Sequence, residues 1–146
     1  MTPTMTTFRT VAVMALLGLA AAAGAADDQL TTTLRGVVDG NLRAYDAKDA
    51  EGVLRGVHTR SPEYDTTKAA LTEQFGALAV TATLIDFKYV GHDDEFAVAR
   101  VKTKLVGPAG SGFSDNVTDS IVLFHQEGGT WKVWSDKVLG VQFIAK

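Results

Sequence analysis

The chain has 146 residues, 46% apolar and 21% charged, with a formal net charge of −3. That composition suits one globular domain with a real core and argues against a disordered or membrane-spanning protein. The acidic balance and the lack of a basic run argue against nucleic acid and a charged membrane surface as partners.

Arg9 is the only charge before Asp27, and Val11 to Ala26 is an uncharged run rich in Ala and Leu that ends in small residues. This is the order of a secretory signal peptide: a short positive region, an apolar region, then small residues for cleavage. The run is shorter than the ~20 residues a spanning helix needs. Residues 1–26 are therefore expected to be a signal peptide and 27–146 the mature domain, exported to the periplasm or secreted, with no membrane contact after cleavage. Loss of Arg9 leaves 13 basic against 17 acidic residues, a net charge of about −4. With no cysteine in the chain, the exported domain has no disulfide and must be held by its core.

Leu30, Leu34, Val37, Val38, Leu42 and Tyr45 recur at helical spacing and predict one amphipathic helix, with Asp27, Asp28 and Thr31 at its start. Asp49 caps a short second helix that turns Val53, Leu54 and Val57 inward, while Gly52 and Gly56 weaken it. Ser61-Pro62-Glu63 opens a third, with Tyr64, Leu71, Phe75 and Leu78 inward and Gly76 near its end. From Val80 the apolar period becomes two. Four strands follow, broken by turns at 91–94, 107–112 and 127–130. Helices first and strands after predict an α+β fold with an antiparallel meander.

Symmetric, bulge-free turns would set Phe96 opposite Leu123, Arg100 opposite Asp119, and Ile121 opposite both Val98 and Asp136. One face then holds Ile85, Phe87, Tyr89, Phe96, Val98, Ile121, Leu123, Trp134 and Val138. Being large and apolar, it is assigned to the helices. The other, with Ala97, Ala99, Val101, Ser120 and Val122, is assigned to water or a second subunit. Arg100, Asp119 and Asp136 break the apolar face. Charges cannot stay unpaired against a core. Arg100 and Asp119 therefore either pair with each other or line a polar cavity, and this break in the pattern marks the place to look for function.

The helix ending in Tyr45, the Asp49-capped short helix, and the strand meander closing on Gly129-Thr130-Trp131-Lys132-Val133 resemble an NTF2-like (SnoaL-like, cystatin-type) domain over Leu30 to Phe143. The resemblance implies a cone, with N-terminal helices packed on a curved four-stranded sheet around a pocket. It also implies small-molecule isomerases, dehydratases and hydrolases among the relatives, and dimers through the outer sheet face. Enzymatic relatives carry a carboxylate-bearing hairpin between the second and third helices. Here only His58-Thr59-Arg60-Ser61 stands there.

Three readings follow. The domain binds a small molecule or a protein partner without catalysis. Alternatively, Asp119 is an acid/base group in a small-substrate isomerase, dehydratase or hydrolase, with Arg100, Tyr89 or Tyr45 orienting the ligand. Or the outer sheet face forms a structural homodimer. Other pocket candidates are Trp134, Tyr64, His58 and Asp136, the last because two close carboxylates can split their pKa values. His58, His92 and His125 are too scattered to form a metal signature, and no cofactor motif is present.

Overall fold

Alternation of small apolar residues along two central strands decides which side of the sheet the helices cover. The computed structural model describes residues 12–77 and 79–145, with side chains from residue 24 onward. The Arg9-bearing start of the expected signal segment and the inward position expected for Leu78 lie outside the described residues. The elements are α1 (Ala12–Asp46), α2 (Ala50–Arg55), α3 (Tyr64–Ala77), β1 (Thr81–His92), β2 (Phe96–Val106), β3 (Asn116–Glu127) and β4 (Thr130–Phe143). The chain divides after Thr32 into two units. In its described part the first is helical, and no described helix is long and apolar enough to cross a membrane.

Helix α1 does not begin at Asp27 or Asp28. The alanine-rich stretch before them, which favours helix, continues into it, and Thr31 and Thr32 hydroxyls donate back to the carbonyls of Asp27 and Asp28. Asp49 caps α2 as expected, its carboxylate accepting the Gly52 N–H at 2.8 Å. Gly52 and Gly56, which weaken α2 on propensity, are required by packing. A Cβ on Gly56 would sit 1.7 Å from Asn41 Oδ1, and one on Gly52 2.9 Å from Ala44 Cβ. Helix α3 starts one turn after Ser61, whose hydroxyl accepts the Glu63 N–H and donates to the Trp134 carbonyl, pinning α3 to β4.

The four strands form one antiparallel sheet in the order β1-β2-β3-β4. The β3–β4 turn places Gly128 and Gly129 at φ 58° and 81°, the double left-handed geometry that matches strand twist. The expected register is corrected in two ways. First, Phe96 faces His125 rather than Leu123, so Arg100 faces Ile121 and Asp119 faces Lys102. The reason is a longer loop: β3 begins at Asn116, and Asp115 folds back to accept the Gly107 N–H. Second, register shifts occur near Ile85, Val90, Trp134 and Leu139. A bulge reverses the alternation beyond it. Phe87 and Tyr89 therefore share a face with Val101 and Ala99, and Asp136 shares one with Val122.

The face assignment is corrected too. Ala97, Ala99, Val101, Ser120, Val122 and Phe124 are buried, together with Leu34, Val38, Val53 and Leu71 from the helices and Val57 from the segment after α2. Phe96, Val98, Ile121 and Leu123 are half-buried on the opposite side. The physical reason is close approach. Two alanines on β2 let the helices seat directly on the sheet, and Phe124 fills the space that remains. The bulkier face is left outside, where Arg100, Lys102 and Lys104 are tolerated.

Candidate functional site

Between the helices and the inner face lies a cavity of about 240 Å³. Its wall is mainly apolar: Val38, Leu42, Val53, Val57, Val101 and Val122. Asn41, Thr67, Thr103 and Ser120 add hydrogen-bonding groups, and Glu63 and Asp136 add two carboxylates. Asn41 reaches it because it falls on the same helical face as Leu34 and Val38. Asp136 reaches it because the extra residue at Trp134 turns the strand over.

The two carboxylates are linked. Glu63 Oε2 accepts the Asp136 backbone N–H at 3.2 Å, and Oε1 accepts from Lys137 Nζ at 2.5 Å. Asp136 as a whole residue is exposed, yet its carboxyl group is substantially withdrawn from water. That desolvation pushes its pKa up, and the Glu63 charge pushes the same way. The Ser120 hydroxyl and Lys137 oppose them. A carboxyl held this way can donate or accept a proton nearer neutrality than an ordinary Asp.

The sequence candidates separate. Asp136 and Trp134 border the cavity; Asp119 and Arg100 do not. These two form a two-pronged ion pair on the outer face, Nε to Oδ1 at 2.8 Å and the second nitrogen to Oδ2 at 2.6 Å. The pair holds the Asp119 carboxyl below its usual range, the wrong direction for an acid/base group at neutral pH. Tyr45 lines a separate concavity of about 420 Å³ with Glu73, Gln74 and Phe113, its ring edge-on to Phe75 at 5.3 Å. Tyr64 opens α3 and is half-buried outside the cavity wall. Tyr89 lies on the inner face, its hydroxyl in contact with His92 Nδ1.

His58 is buried behind β4, 1% exposed. Its Nδ1 accepts the Arg60 N–H at 3.1 Å, which leaves the proton on Nε2. Nε2 has no hydrogen-bond partner. The rings of His125 and Trp134 pack against it in T-shaped arrangements, with centroids at 4.8 and 4.9 Å. Glu127 locks this corner, accepting from the Thr59 N–H, the Thr59 hydroxyl and Lys132, and its pKa falls to about 2, with the Lys132 bond as the largest cause.

Sequence reasoning missed Glu63, Asn41, Thr67, Thr103 and Ser120 as wall residues. Asn41 carried a signal, a polar residue on an apolar helical stripe. Glu63 was read only as a helix-start acid. Among the described residues no group of three or more metal-ligating side chains is found.

The model of the anti-sigma-I factor RsgI9 C-terminal domain family matches residues 36–144. No curated protein matches the chain. Among solved structures, an NTF2-like protein with a cystatin-like fold from Novosphingobium aromaticivorans is similar at 16% identity and TM-score 0.66, covering 84% of this chain and 88% of that one. An NTF2-like protein from Cytophaga hutchinsonii is similar at 18% identity and TM-score 0.61, covering 73% and 94%. A Novosphingobium aromaticivorans protein provisionally named a scytalone dehydratase is similar at 10% identity and TM-score 0.66, covering 84% and 93%. At these identities the likeness concerns the fold, which is NTF2-like.

Proposed function

The chain belongs to the RsgI9 C-terminal domain family and has an NTF2-like fold, and from that premise we propose that it is an exported ligand-binding domain. The cavity between helices and sheet carries this reading. A mainly apolar wall with a few convergent polar groups is the usual form of a small-molecule site. Its volume of about 240 Å³ suits a compact ligand, apolar in body, with one group that hydrogen-bonds Asn41, Ser120 or Asp136. A screen of small cyclic alcohols, ketones and amines, read by methyl NMR shifts of Val53, Val57, Val101 and Val122, tests it. Shifts confined to those methyls and weakened by Asp136→Ala support the reading. Shifts only elsewhere, or none across the screen, overturn it.

A second reading, acid/base catalysis, is favoured by one observation: the raised pKa of Asp136 beside the Ser120 hydroxyl. In it Asp136 takes the role expected of Asp119. Turnover of any bound ligand that survives Asp136→Asn unchanged removes it. Export of the mature domain is tested by the N-terminal residue of protein recovered outside the cytoplasm, expected to be Asp27 or Ala26.

A further inference from the structure

Strand β4 is an edge strand used along only half its length. Over Val133–Asp136 its free edge is occupied by the segment that joins α2 to α3. The Val133 N–H donates to Gly56 and its carbonyl accepts from His58, Ser61 donates to the Trp134 carbonyl, and the Asp136 N–H donates to Glu63. From Val138 onward that segment no longer covers the edge. Apart from Gly140 and the polar Gln142, the side chains from Val138 to Phe143 are apolar and open to solvent: Val138 58%, Leu139 57%, Val141 48% and Phe143 68% exposed.

Natural sheets protect such edges with charges, prolines, bulges or a covering segment. The opposite edge, β1, follows this practice, with bulges at Ile85 and Val90 and with Asp86 and Lys88 between them. The run Val138 to Ala145 has no charge and no proline, and only the bulge at Leu139 interrupts it. We infer that this edge pairs with the same edge of a second copy, antiparallel about Val141, joining two four-stranded sheets into one.

The occupant follows from the chemistry of the strip. Its partner must be uncharged and mainly apolar over about seven residues and must offer a free strand edge. A second copy brings both. A two-fold axis at Val141 sets Val138 opposite Ile144 and Leu139 opposite Phe143, apolar against apolar. Lys137 then faces Ala145, so like charges never meet. One strand pairing and a few side chains fall in the small class of interfaces, below about 1,200 Å², which sets a weak, micromolar dimer. The contact differs from a dimer through the outer sheet face, which would use Val98, Ile121 and Leu123.

The chain has no cysteine, so single-cysteine variants report proximity cleanly. Directly opposed strand residues have Cα atoms about 4.5–5.5 Å apart, within the range a disulfide bridges. Sedimentation of the full chain from 1 to 200 µM (~ a range spanning weak dimers) should show a dimer. Mild oxidation should cross-link Val141→Cys and leave Ile121→Cys monomeric. Val141→Lys, with unchanged circular dichroism and melting temperature, should raise the dissociation constant at least ~10-fold. A monomer throughout the range overturns the inference. A dimer that survives Val141→Lys, or that cross-links through Ile121→Cys and not Val141→Cys, also overturns it.

Discussion

Removing the Phe124 ring tests which face of the sheet the helices cover. Phe124 is fully buried, opposite Val133 on β4 and Ala97 on β2. Its neighbour Leu123 points the other way and is half-buried. Phe124→Ala loses transfer energy and leaves a cavity that the flanking alanines cannot fill, about 3–5 kcal/mol. Leu123→Ala loses part of the 1.5–3 kcal/mol that full burial of a leucine contributes, about 1 kcal/mol, with no closed cavity. At roughly 4 °C per kcal/mol for a domain near 100 residues, the melting temperature should fall by about 12–20 °C and about 4 °C respectively. Urea titration at 25 °C gives the two free energies independently. The reverse order, with Leu123→Ala costing as much as or more than Phe124→Ala, would refute the face assignment and return Arg100 and Asp119 to the covered side.

Gly56→Ala should cost about 1–3 kcal/mol by urea titration, because the new methyl must displace Asn41; an unchanged stability would mean the α1–α2 contact is looser than described. For Glu127, the folded pKa of about 2 lies below the ordinary 4.5, so its contribution is complete above 4.5 and lost as pH falls toward 2. The stability gap between the native chain and Glu127→Gln should close over that window, and a gap constant with pH would contradict it. Asp136 has the opposite sign. Its folded pKa is raised above 3.8, so the unfolded chain ionises first and the group destabilises the fold as pH rises from 3.8. Asp136→Asn should therefore gain on the native chain as pH rises above 3.8, measured by chemical denaturation from acid to neutral pH.

The helices and strands were legible because their periods are clean: Leu34, Val38, Leu42 and Tyr45 repeat at helical spacing, and β2 alternates through Ala97, Ala99 and Val101. Asp49 and Ser61 announced their turns through capping chemistry. The site was less legible, because face and register depend on features with weak local signatures. Nothing between Phe113 and Asn116 says that the loop runs on to Asp115. The extra residue at Trp134 looks like any other strand position. Judging faces by bulk also misled, since Phe96 and Leu123 outweigh Ala97 and Ala99. Close approach of the helices rewards the smaller pair.

The bulge at Trp134 acts as a phase shift in an alternating signal. Before it, a given parity of residue number reads outward; after it, the same parity reads inward. Asp136 gains its place in the cavity wall from that single extra residue. Chemistry on β4 is thus addressed by counting from the bulge, and not by residue type alone. A one-residue deletion between Gln126 and Asp136 would leave the composition nearly intact while exchanging what the cavity and the solvent each see. In this fold, then, small insertions and deletions in the last hairpin are the changes that would rewrite the site most sharply.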